Sequence, residues 1–210
     1  VSGGAISLRT SCEVNLEGTV LRKNTATSTE SGEGGGAVYA NDNTLTLSGV
    51  TIEENSSGYY GGAVAAVNAQ VTVDEKSVIN NNKGTTGVAF DFRGSGTYIL
   101  DDVSVTDNIA QADGSGVIYI TGSGTLDITA LTATGNKNNN GGVIYASSTS
   151  KVKLTDSVLR GNEAKNLGGA ADFRSSGTFT VNNTLFEANK AKKGGAINVS
   201  TDKGTVTVTE

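Results

Sequence analysis

Acid/base work by paired carboxylates is the first chemistry to look for in this chain, and one grouping offers it: Asp101 and Asp102, with Asp127 one repeat further on. Carboxylates held together can divide the general acid and general base roles, or ligate Ca²⁺ through oxygen. The sequence has no histidine. That removes the commonest general base and the Ser-His and Cys-His nucleophile systems. Asp also forms turns through its own hydrogen bonds, and solvated turn residues are the plainer reading of all three. The single cysteine, Cys12, excludes an intrachain disulfide and a cysteine-based metal cluster among these residues. The calcium-binding Gly-Gly-x-Gly-x-Asp nonapeptide does not occur either. No catalytic residue, cofactor or metal is therefore assigned, and the chain is expected not to be an enzyme.

Three sets of residues offer binding instead. Tyr39, Tyr119 and Tyr145 fall at the outward position of the first strand of a repeat, the last two in consecutive copies, and Tyr59-Tyr60 sit in a turn. Together they offer a platform for a sugar ring or a partner side chain, against a plainer role in packing across an exposed sheet. Lys83, Lys137, Lys165, Lys190, Lys192 and Lys193 all follow a recurring asparagine. Lining one edge, they would attract anionic glycans in a salt-dependent way, or simply solubilise that edge. The pairs Thr44/Thr46, Thr178/Thr180 and Thr205/Thr207 resemble the flat arrays of ice-binding solenoids, but Gln70, Ile99, Asp127, Lys151 and Lys153 share their face.

The positions of all these residues follow from a repeat. Gly35-Gly36-Ala37-Val38 recurs so that Ala5, Ala37, Ala63, Ala89, Val117, Val143, Ala170 and Ala196 are equivalent, mostly 26 to 28 residues apart. A second marker, an asparagine preceded three positions earlier by an apolar or small residue, gives Asn24, Asn55, Asn82, Asn108, Asn136, Asn162 and Asn189. A period in this range means a solenoid, propeller or array. Between the markers, apolar residues alternate: Val38 and Ala40, Leu45 and Leu47, Val50 and Ile52 in the cleanest copy. Period two is that of a strand, not a helix.

Each copy thus reads as three short strands, too few to bury their own apolar face. Stacking copies at the strand spacing of about 4.8 Å buries a continuous column and pairs the backbones. The expected fold is all-β: a parallel β-helix, or β-solenoid, of about seven to eight coils. It forms a single segment over residues 1–210, with coils starting near 3, 35, 61, 87, 115, 141, 168 and 194. The polar stretch 25–34 is expected to protrude as a loop. The Gly pair supplies positive φ or close backbone approach at a corner. The asparagines are expected to stack as a structural ladder, amide on amide.

Composition agrees. The 210 residues include 29 glycines and no Pro, Trp or Met, a turn-rich, β-prone mixture. The net charge of −5 disfavours a nucleic-acid partner held by phosphate neutralisation. Its distribution is uneven: residues 1–114 carry six basic and fourteen acidic side chains, residues 115–210 ten basic and seven acidic. That asymmetry would suit end-to-end self-association. No run approaches a transmembrane helix. Lacking an initiating Met, the chain reads as a piece of a longer protein.

Gly-Gly-Ala-(Ile/Val) is literal at 3–6, 35–38, 61–64 and 194–197, and Phe-x-x-Asn at Phe186-Glu187-Ala188-Asn189. Elsewhere Leu21, Ile52, Ile79, Val105, Ala133 and Leu159 take the aromatic's place. Over nearly its whole length the chain resembles the chlamydial polymorphic membrane proteins, autotransported surface adhesins with a right-handed β-helix passenger. The resemblance implies a non-catalytic adhesin or structural fibre segment. It would be extracellular or at the cell surface, anchored in an outer membrane through other regions, and bind a protein or glycan there. The alternative is a carbohydrate-active β-helix like pectate lyases and polygalacturonases, although the Gly-His-Gly of the latter is missing; an ice-binding solenoid is a minor one.

Overall fold

In Thr44–Ser48, Leu45 and Leu47 are buried while Thr44, Thr46 and Ser48 face outward, and Gln70–Asp74 repeats the pattern one coil on with Val71 and Val73 inside. Residue-by-residue alternation of this kind, copied down the chain, builds the whole molecule. The computed structural model describes residues 3–9, 11–28, 33–111 and 114–210. All strands among them are paired in parallel, in sheets of eight, eight, seven and six strands. Each sheet takes one strand from each successive coil, so the chain winds as a β-solenoid of about seven turns. The described residues contain no helix.

Six successive coils have four strands each, one more than the sequence indicated, and the coil from 168 has three, with isolated bridges from Lys190 and Lys193 in the fourth position. In the second coil the four are Val38–Asn41, Thr44–Ser48, Thr51–Glu53 and Ser56–Ser57. The fourth strand follows the asparagine and recurs as Thr25–Ala26, Lys83–Gly84, Ile109–Ala110, Lys137–Asn140 and Glu163–Leu167. In four of these six coils the strand has two residues, too short to show alternation, which is why it is hard to see in the sequence. Its inward residue is small in most coils, as at Ala26, Ser57, Gly84 and Ala164, because it fills a narrow corner. The stretch 25–34 therefore begins as a paired strand, Thr25 against Ser56 and Ala26 against Ser57, and not as a loop. Residues 29–32 lie outside the described residues.

Inside, like positions stack into columns along the axis. Within the single coil 87–114, Phe92 lies on Tyr98 with ring centroids 4.1 Å apart and planes 9° from parallel, and on Phe90 at 5.4 Å. The buried Tyr98 hydroxyl donates to the Arg93 carbonyl at 2.8 Å.

The two glycines of the pair have different duties. Gly35 has φ +77, a left-handed conformation strained for other residues. Gly36 has an ordinary φ, but a Cβ there would stand 2.0 Å from the Gly62 carbonyl oxygen of the next coil. Left-handed residues also turn the other corners, frequently without glycine: Lys23, Glu54, Asn81, Asp107 and Ala188 each precede a ladder asparagine, and Asp102, Ala130 and Asp156 turn the corner before the third sheet. An L-residue with a Cβ gives up about 1–2 kcal/mol in this region, partly offset against glycine's greater chain entropy. Ala130→Gly, at φ 53, is accordingly expected to stabilise the fold by about 0.5–1 kcal/mol, measured as a higher urea midpoint at unchanged slope.

Candidate functional site

The asparagine column is the most regular polar feature. Side-chain Nδ2 of Asn24, Asn55, Asn82, Asn108, Asn136 and Asn162 each donates to Oδ1 of the next, at 3.0 to 3.2 Å, ending on Asn189. The same Oδ1 also accepts the backbone N–H of the preceding asparagine. The second amide hydrogen goes back one coil, from Asn55 to the Leu21 carbonyl, Asn82 to Ile52 and Asn108 to Ile79. All the bonding capacity of the internal amides is thus used within the fold. None is left for a ligand.

The outward face of the first sheet is where side chains gather. Parallel register sets Tyr39, Ala65, Asp91, Tyr119, Tyr145, Asp172 and Asn198 in one column. Tyr119 and Tyr145 stack at 5.3 Å with planes 7° apart. Arg93 lies 4.9 Å from the outer side of Tyr119, and Arg174 5.2 Å from Tyr145. The result is a four-layer pile, Arg93, Tyr119, Tyr145, Arg174, running along the axis. Arg93 is also 3.6 Å from the Tyr60 ring, which meets Tyr59 edge-on at 4.3 Å. A ring in such a pile offers its edge and hydroxyl to solvent, since its faces are taken by cation-π and stacking contacts. Tyr119 and Tyr145 are consequently not an open platform for a sugar ring. Tyr39 is only 8% exposed, with Arg9 at 5.9 Å from its ring. Tyr59 is the most exposed tyrosine of the group.

Each arginine is held by an aspartate that the sequence reading passed over. Arg93 donates from Nε to Asp91 Oδ1 at 2.5 Å and from Nη2 to Oδ2 at 3.0 Å. Arg174 donates to Asp172 Oδ2 from Nε at 2.9 Å, and Asn198 Nδ2 donates to Oδ1 at 2.7 Å. Both carboxylates are 1% exposed. Burial pushes the Asp91 carboxyl up to about 6, against the opposing pull of Arg93. A signal for these residues was present: Asp-Phe-Arg-x-Ser-Gly-Thr occurs at 91–97 and again at 172–178.

The lysines do not form one edge. In the fourth sheet Ile109 separates Lys83 from Lys137, and Glu163 separates Lys137 from Lys190 and ion-pairs with the latter at 3.7 Å. Lys165, Lys192 and Lys193 are exposed nearby. The three aspartates do not converge either. Asp127 stands beside Ile99 and 3.9 Å from Lys153, while Asp101 faces Thr129. Among the described residues no group of three or more His, Cys, Asp or Glu is placed to hold a metal ion. On the second sheet the register lines up Thr97 with Thr125, and Thr46 with Thr72, extending the threonine pairs seen in the sequence.

Comparison with protein-family models, curated proteins and solved structures finds no match. Among the described residues no helix is long and apolar enough to cross a membrane.

Proposed function

We propose that the chain is a non-catalytic segment of an extracellular, cell-surface adhesin or fibre, which presents its flat outer faces to a protein or glycan. The supporting observation is the alignment of the fold's polar chemistry with its axis. The asparagine ladder ties each coil to the next, and the Arg93, Tyr119, Tyr145, Arg174 pile does the same outside. A rod stiffened in this way suits display and lateral contact. Its best contact area is the rim of the pile, where tyrosine edges share the face with the Thr121 and Ser147 hydroxyls, which hydrogen-bond each other at 3.0 Å, and Tyr59 is exposed where it meets Tyr60.

A glycan array and a cell-binding assay on the purified chain test this reading. Wild type is expected to bind, Tyr59→Ala to lose at least fivefold in affinity, and a Lys165→Ser/Lys192→Ser variant to keep tyrosine-dependent binding. Turnover of acidic polysaccharides by the wild type would replace this reading with the carbohydrate-active one. The longer threonine rows favour the ice-binding reading, and measurable thermal hysteresis would be its sign.

A further inference from the structure

The third sheet carries a pattern that neither the tyrosine pile nor the ladder uses. One of its two outward columns holds Arg22 and Glu53 at one end, Asn80, Thr106 and Thr134 in the middle, and Arg160 and Glu187 at the other. In charge this reads plus, minus, three neutral positions, plus, minus. Reversed, every charge falls opposite its complement. The neighbouring column begins at Val20 and ends at Leu185, 58% and 47% exposed, two of the most exposed large apolar residues of the chain. Reversal sets these two against each other as well.

We propose that the third sheet is the docking surface for a second copy of this chain, lying antiparallel, related by a two-fold axis that passes near Thr106 and runs along the strands. In that arrangement each column faces itself in reverse, which is the self-complementary condition of an isologous interface. Arg22 meets Glu187 of the second copy, Glu53 meets Arg160, and Val20 packs on Leu185, each contact occurring twice. The parallel alternative, with its two-fold along the solenoid axis, sets Val20 against Arg22 and Leu185 against Glu187. It pairs charge with apolar surface and is disfavoured.

Within one copy Arg22 already sits 3.4 Å from Glu53, and Arg160 2.5 Å from Glu187. Docking therefore extends two existing pairs into alternating four-charge rows, and no lone charge is desolvated. Asp102 and Asp107 flank the axis, but at corners where the chain turns away from the face. The column spans about 29 Å at the strand spacing, so a strip roughly 12 Å wide covers on the order of 400 Å² per copy. That total is below the roughly 1,200 Å² of a stable complex and fits a weak, reversible contact. This proposal is independent of the adhesin reading.

Sedimentation equilibrium of the chain up to about 1 mM tests it. Wild type is expected to dimerise with a dissociation constant of about 0.1–1 mM at low salt, weakening as salt screens the rows. Arg22→Glu/Glu53→Arg and Arg160→Glu/Glu187→Arg each keep their internal ion pair but place like charges across the interface. Each alone is expected to dimerise at least tenfold more weakly. An equimolar mixture regains full complementarity and is expected to associate as the wild type does. Leu185→Lys, which leaves the rows intact, is expected to weaken association about threefold or more. A wild type that stays monomeric at 1 mM and low salt overturns the proposal. So do double variants that associate like the wild type, or a mixture no tighter than its components.

Discussion

Asn108→Asp is expected to destabilise the solenoid at pH 7 by on the order of 3–5 kcal/mol, and Asn108→Ala by about 1–3 kcal/mol. Asn108 is fully buried. Its Oδ1 accepts both the backbone N–H and the side-chain amide of Asn82, while its Nδ2 donates to the Ile79 and Thr106 carbonyls and to Asn136 Oδ1. Alanine removes the acceptor of the Asn82 backbone N–H and one bond each from the Asn82 amide, the Ile79 and Thr106 carbonyls and Asn136 Oδ1. Aspartate keeps the Asn82 bonds but brings a carboxylate, with no hydrogen to donate, against three oxygens. Asn24, half-buried at the start of the ladder, donates to Asn55 without a preceding asparagine among the ladder positions. Asn24→Asp is therefore expected to cost less than half as much. Urea denaturation of the three variants measures this, and equal losses at positions 24 and 108 would show that the ladder is not a cooperative element.

Arg93→Met is expected to cost about 3–5 kcal/mol at pH 7, because it leaves the Asp91 carboxylate buried without its counter-ion. The cost should fall in acid, where Asp91 binds a proton and the charge disappears. Asp91→Asn in the Arg93→Met background is expected to restore most of the stability. The same carboxyl gives the wild type its own pH dependence. Its folded pKa, about 6, is raised above the ordinary 3.8 by burial. The protonated form is therefore favoured by folding. The stabilisation is fully present below about pH 4 and lost as pH rises through 6, on the order of 3 kcal/mol at 1.36 kcal/mol per pH unit. Comparing wild type with Asp91→Asn at a series of pH values isolates this contribution from the other carboxylates. A difference that stays flat between pH 4 and 7 would show that Asp91 titrates normally.

The two variants probe opposite sides of the wall. The ladder fixes coil on coil from within, whereas Asp91 and Arg93 belong to the outer pile that borders the proposed contact rim. Loss of binding at Tyr59 without loss of stability would separate display from scaffolding. Tyr59 suits that purpose because it is exposed and lies outside the pile, touching it through Tyr60.

Sequence alone determined the period, the inward residues and the asparagine column. These depend on local rules that each copy obeys separately: alternation for a half-buried strand, glycine where backbone crowds, a small amide where a turn needs saturating. The fourth strand escaped because in most coils it has two residues, which carry no alternation. The buried aspartates escaped for a related reason: between Phe90 and Phe92, Asp91 reads as an outward, solvated residue. Alternation already sets Arg93 on the same face as Asp91, but only the fold buries the carboxylate and brings Tyr60, from the preceding corner, against Arg93. The tyrosines were placed on the correct face, yet whether their rings were open or covered depended on arginines one coil away on either side. Alternation along one strand says which way a side chain points; what it meets there is settled by neighbours 26 to 28 residues distant, through the register that stacking imposes.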